Sequence, residues 1–77
     1  MNKIYIIPSE SGYIGESLIA APNAKEANTM ITDFKKSDPY NQYDSFGYGY
    51  VTEDDVIEDA AIPHYGFLHH GIRYLPL

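Results

Sequence analysis

"APNAKEANTMITDFKKSDP", residues 21–39, is the stretch on which the fold turns. Asn23 is placed to accept a hydrogen bond from backbone N–H groups at a helix start, and Glu26 stands three residues on, where a capping-box acid belongs. Ala24, Ala27, Met30, Ile31 and Phe34 recur at helical spacing and share one face, which reads as a core stripe. Lys35 and Lys36 fall in the last turn, where positive charge suits the helix dipole, and Pro39 prevents continuation. One amphipathic helix must bury its stripe against another layer, and the flanking sequence supplies strands.

Upstream, "KIYIIP" (3–8) is short and rich in β-formers, so it reads as a strand that Pro8 ends or places near an edge. "SESG" (9–12) reads as a turn in which Gly12 can take a positive φ. "YIGESLIAA" (13–21) is a second strand with a bulge at Gly15, making an N-terminal hairpin.

Downstream, "DPYNQYD" (38–44) is a polar loop carrying two tyrosines. "SFGYGYV" (45–51) predicts a strand whose period of two puts Phe46, Tyr48 and Tyr50 on one face and Gly47 and Gly49 on the other. "TEDDVIEDAA" (52–61) offers Thr52 as an N-cap with Asp55 in the box position, which predicts a short helix, a loop being the alternative. Pro63 closes it, and "HYGFLHHGIRYLPL" (64–77) reads as two short strands around a turn at His69 to Gly71. The expected order is ββα, β, a short helix, then ββ. That is an α+β fold, a small antiparallel sheet with one main helix packed on it, in a single compact domain over residues 1–77.

Seventy-seven residues bury only a marginal core, and with Cys at 0 neither disulfides nor thiolate zinc sites can reinforce it. The hydrophobic fraction of 44% excludes wholesale disorder. The longest apolar run, Ile4 to Ile7, is far short of the ~20 residues of a membrane span, and the pattern of a secretory signal is not expected either. A cytoplasmic protein is the expectation.

The net charge of −6 is unevenly placed. Residues 1–37 balance to zero, and residues 38–77 carry the whole excess. Phosphate backbones are repelled by such a surface, which argues against direct nucleic-acid binding, whereas a basic protein surface is attracted.

Chemistry is sparse. His64, His69 and His70 lie close together and could hold a metal, but neighbouring residues on a strand point to opposite faces, and no spaced metal signature is present. No serine sits in a GxSxG context, and the paired acids Asp54 and Asp55 would need a pocket to separate their roles. "SGYIG" and "FGYGY" lack phosphate-loop spacing. Neither catalysis, a cofactor nor a metal is expected.

The tyrosines stand out, with 8 Tyr and 0 Trp. Tyr5, Tyr65 and Tyr74 read as strand residues that pack inside. Tyr40, Tyr43, Tyr48 and Tyr50 cluster beside the acids. Aromatic anchors among like charges suit a basic partner. The expected partner-binding residues are therefore Tyr43, Asp44, Tyr48, Tyr50, Glu53, Asp54, Asp55, Glu58 and Asp59. Two alternatives remain open: a small metal- or ligand-binding protein using the histidines, and a homodimer or other homo-oligomer with a structural role.

"MNKIYII", "GYIGESL" and "AAPNAKEA" resemble the opening of the type II-C anti-CRISPR proteins, which inhibit the HNH nuclease domain of a CRISPR effector. Met1, Asn2, Lys3, Tyr5, Gly12, Tyr13, Gly15 and Leu18 carry the likeness, and Ala20, Ala21, Glu26 and Ala27 follow after a one-residue offset. The likeness ends at Ala27. That family's inhibitory contacts come from its C-terminal part and include a cysteine, a residue type absent here, so no functional residue is carried over. The resemblance implies a phage or mobile-element inhibitor that binds a host nucleic-acid-binding nuclease by surface contact.

Overall fold

The computed structural model describes residues 1–10 and 16–69, with the backbone alone for 58–60. Its regular elements are β1 (Asn2–Ile7), β2 (Ser17–Ala21), α1 (Ala24–Lys36), a one-turn helix α2 (Gln42–Ser45), a 3₁₀ turn (Glu53–Asp55), β3 (Val56–Ile62) and β4 (Gly66–His69). The fold is α+β, one main helix on a small antiparallel sheet, as the sequence implies. Four strands are described, in the order β3-β1-β2-β4.

The expected hairpin is present: β1 and β2 pair antiparallel from Lys3↔Ala21 to Ile7↔Ser17. Alternation sets the sides of the sheet. Tyr5, Ile7, Ile19 and Ala21 are fully buried and pack with Ala24, Ala27 and Ile31 of α1. Ile4, Ile6 and Leu18 lie on the other side and are half-buried. The turn at 9–12, Gly12 and the part of the second strand containing Gly15 fall partly or wholly outside the described residues.

The helix follows its sequence signals. Asn23 caps it, its Oδ1 accepting from the Glu26 N–H at 2.9 Å. Met30 and Phe34 are half-buried against the same core.

Residues 45–51 are not a strand. Gln42–Ser45 make one helical turn, which Asp38 caps by accepting the Tyr43 N–H at 2.8 Å. Gly47 has φ of +79°, its N–H donates to Asp44 O, and the Tyr48 N–H reaches back to Tyr43 O. These two crossed bonds form a Schellman ending, with Gly47 at the left-handed position. A Cβ at Gly47 would also sit 2.6 Å from Glu10 Cβ. The glycine that looked like the bare side of a strand is therefore a helix stop.

From Tyr50 the chain runs along α1 in the opposite direction, Tyr50 meeting Thr32, Val51 meeting Asn28 and Glu53 meeting Ala24. The Asn28 amide clamps Val51 at both ends, Nδ2 donating to Val51 O at 2.9 Å and Oδ1 accepting the Val51 N–H at 2.8 Å. One side chain thus supplies what a neighbouring strand would.

The expected helix over 52–61 is also corrected. Its cap is real: Thr52 Oγ1 accepts the Asp54 N–H, and Asp55 Oδ2 accepts the Thr52 N–H at 2.7 Å. The turn ends after Asp55, because the β-branched pair Val56 and Ile57 favours a strand, which joins the open side of β1 with Val56 opposite Tyr5. Register shifts bend β3 along that pairing.

Residues 63–65 then cross from one rim of the sheet to the other. Three inter-strand steps span about 14 Å, which the four Cα–Cα steps from Ile62 to Gly66 cover only when extended. Asn2 holds this crossing, its Nδ2 donating to His64 O at 2.6 Å and to Pro63 O at 3.4 Å. β4 pairs with β2. The expected turn at His69 to Gly71 and the last strand lie outside the described residues, apart from His69 itself.

Candidate functional site

The nine expected partner-binding residues do not form one face. Tyr43 and Tyr48 are 1% and 4% exposed, so neither ring is offered to a partner. They are core residues, linked in a row of rings: Phe67 to Phe34 at 5.7 Å, Phe34 to Tyr43 at 5.9 Å and Tyr43 to Tyr48 at 5.3 Å. The Tyr43 hydroxyl donates to Gly49 O, and burial pushes its phenol well above the ordinary range. A strand would have placed Tyr48 and Tyr50 together. The Schellman stop instead turns Tyr48 in and Tyr50 out.

Tyr50 is 52% exposed and Tyr40 75%. Tyr50 accepts a hydrogen bond from the Thr32 hydroxyl at 3.4 Å, and Lys35 Nζ lies 5.1 Å from its ring centroid. The Thr32 bond first, then the Lys35 charge, holds the Tyr50 phenol below its ordinary value. Lys35 also pairs with Asp44 at 3.1 Å, and that bond chiefly raises the lysine. Asp44 is therefore ion-paired within the fold, although its side chain stays 48% exposed.

Glu53 is also engaged. Its Oε1 accepts the Tyr5 hydroxyl at 2.5 Å, and its Oε2 accepts the Ala24 N–H at 2.8 Å. The Ala24 N–H is one of the donors that the first turn of a helix leaves without an internal partner. The Tyr5 bond first, then the Ala24 bond, draws the Glu53 carboxyl below its usual value. Burial first, then the same bond, pushes the Tyr5 phenol up to about 12.

Asp55 closes the capping box. Asp54, between them, is exposed, and its carboxylate has no partner among the described residues. Positions 58 and 59 lie on β3, at one rim of the described sheet. The structure thus brings Tyr50 and the acidic turn onto one strap along α1, and sorts the acids by bonding: Asp44, Glu53 and Asp55 are bonded within the fold, the first two while still exposed, whereas Asp54 is exposed and has no partner among the described residues.

The α1 residues that hold the strap, Asn28, Thr32 and Lys35, are not legible as a group, since each looks like an ordinary polar position on the helix. Elsewhere, Tyr65 is 52% exposed rather than packed, its hydroxyl 3.4 Å from Glu26 Oε1, and Tyr74 lies outside the described residues. The His64 ring lies 3.2 Å from Phe67 O, His69 is exposed, and His70 is outside the described residues. Among the described residues no three His, Asp or Glu side chains converge as a metal site would require. No described helix is long and apolar enough to cross a membrane.

Fold and face together define a small acidic α+β domain with an aromatic and carboxylate strap along its helix. Comparison with protein-family models, curated proteins and solved structures finds no match.

Proposed function

We propose that this chain acts by stoichiometric binding of a basic protein surface, with Tyr50 and Asp54 at the centre of the docking face. The observation that carries this reading is an exposed aromatic anchor and an exposed carboxylate without a partner among the described residues, both in the half of the chain that holds the entire charge excess. A half-exposed tyrosine fixed by Lys35 and Thr32 docks with little loss of side-chain freedom. Charge supplies attraction over about 8 Å at physiological salt. The most concrete partner is a host defence nuclease in the cytoplasm, by the N-terminal resemblance to anti-CRISPR proteins. Such proteins bind nucleic acid and so carry basic surfaces. The reading assigns the chain no chemistry of its own.

The test is inhibition of target-DNA cleavage by a purified type II-C effector, with wild type and a Tyr50→Ala, Asp54→Lys double variant. That variant leaves Tyr43, Tyr48, Glu53 and Asp55 to hold the fold. Inhibition by wild type and at least roughly tenfold weaker inhibition by the variant is expected. Equal inhibition by both removes this face, and no inhibition or retention by wild type removes the nuclease.

A further inference from the structure

The acidic turn is attached to the rest of the fold in an unequal way. On its N-terminal side, Val51 is clamped by Asn28, and on its C-terminal side Val56 enters the sheet opposite Tyr5. Between these anchors, residues 52–55 hold their shape through their own capping box. What ties that unit to its surroundings is Glu53, whose two carboxylate oxygens reach two different elements, β1 through Tyr5 and the first N–H of α1 through Ala24.

We propose that Glu53 is an acid-releasable latch: its carboxylate seats the 52–55 turn against the start of α1, and protonation lets the turn swing out as a unit while sheet and helix stay folded.

Both bonds require the ionised acid to be at its best as an acceptor, since each oxygen takes a donor and a protonated carboxyl must offer one instead. The charged and polar groups facing Glu53 are Tyr5 and Lys3 from β1 and the Ala24 N–H from α1. All favour the carboxylate, so the latch stays shut at neutral pH and opens below the ordinary carboxylate value of 4.5. The internal box does not depend on Glu53, and the Asn23 cap still holds Glu26. Release is therefore local, confined to the turn and the Ala24 N–H. Tyr5 is fully buried, so it governs the position of Asp54 without being able to touch a partner. That consequence for docking rests on the binding reading above, and the latch itself does not.

The experiment is a pH titration of the intact chain by NMR, following the Glu53 carboxyl carbon together with the amides of Ala24, Asp54 and Ile31. Ala24 and Asp54 are expected to move with the Glu53 midpoint, below 4.5, while Ile31 stays in place. Tyr5→Phe should raise that midpoint, because the Tyr5 bond is the main influence lowering it. If Tyr5→Phe does not fold, Glu53→Gln carries the test at neutral pH. It should lower the exchange protection of the Ala24 N–H about tenfold and leave Ile31 protected. Ala24 and Asp54 amides that ignore the Glu53 titration overturn the latch, as does a midpoint unmoved by Tyr5→Phe. So does an Ile31 amide that shifts at the same pH, which would mean global unfolding. Loss of nuclease inhibition by the docking-face variant bears on none of these signals, so the two ideas fail separately.

Discussion

Residues 2–7 and 17–36, on one side, and residues 38–55, on the other, satisfy their backbones by different means. In the first stretch the bonds are those of a ladder and a helix, each supported by neighbours of the same kind. In the second, side chains do much of the work: Asp38 takes the Tyr43 N–H, Ser9 reaches Phe46 O, Tyr43 reaches Gly49 O, Asn28 holds Val51, and Asp55 takes the Thr52 N–H. A backbone group bonded to a side chain has no substitute when that side chain goes, and a buried orphan is costly. The second stretch should therefore be as necessary to the fold as the first, and more vulnerable to single substitutions at polar positions.

The largest effect expected is at Tyr43. Tyr43→Ala removes a ring from the middle of the aromatic row together with its bond to Gly49, and should cost about 3–5 kcal/mol. Ile31→Ala, at the centre of the helix stripe, should cost about 2–5 kcal/mol. Urea unfolding of both variants compares the two regions directly. A Tyr43→Ala cost below about 1 kcal/mol would show that residues 38–55 merely drape over a core that stands without them.

Asn28 sharpens the contrast. Asn28→Ala leaves both the N–H and the carbonyl of Val51 without partners and should cost about 2 kcal/mol. Thr29→Ala, one position along the same helix, removes an exposed hydroxyl and should stay within about 0.5 kcal/mol. Hydrogen exchange at the Val51 amide should rise in the first variant and not in the second. Equal costs would mean that water replaces the clamp without loss.

The same division explains what could be read from the chain. The helix was legible because Asn23, the apolar stripe and Pro39 agree on its start, its face and its end. The hairpin was legible because alternation matches its two sides. At residues 45–51, aromatic alternation mimicked a strand, while the deciding feature was the backbone angle at Gly47, which spacing does not reveal. At 52–61 the cap is legible in Thr52 and Asp55, but a cap fixes only where a turn starts. Val56 and Ile57 and the vacant rim of β1 decided where it stopped. Within the face, the exposure of Tyr50 and Asp54 was within reach of the sequence. The inward turn of Tyr43 and Tyr48, and the pairing of Asp44 and Glu53, depended on contacts from elements distant in the chain.

The tyrosines offer the finest probe of inside against outside. Tyr5 and Tyr43 have phenols raised by burial, and Tyr50 has one lowered by Thr32 and Lys35. A group whose proton is held more tightly in the fold than in the open chain stabilises fully below its unfolded value, near 10, and loses that contribution as pH climbs through the folded one. Tyr5 therefore destabilises the fold progressively between about 10 and about 12, and Tyr43 adds to this at higher pH. Following tyrosinate absorbance beside far-ultraviolet circular dichroism should show Tyr50 among the first to ionise, with the fold intact, and Tyr50→Phe should remove that early step. The last phenols should ionise only together with loss of helix signal. If all the phenols ionise in one step near pH 10 while the helix persists, Tyr5 and Tyr43 are not held inside as the ring row and the Glu53 bond require.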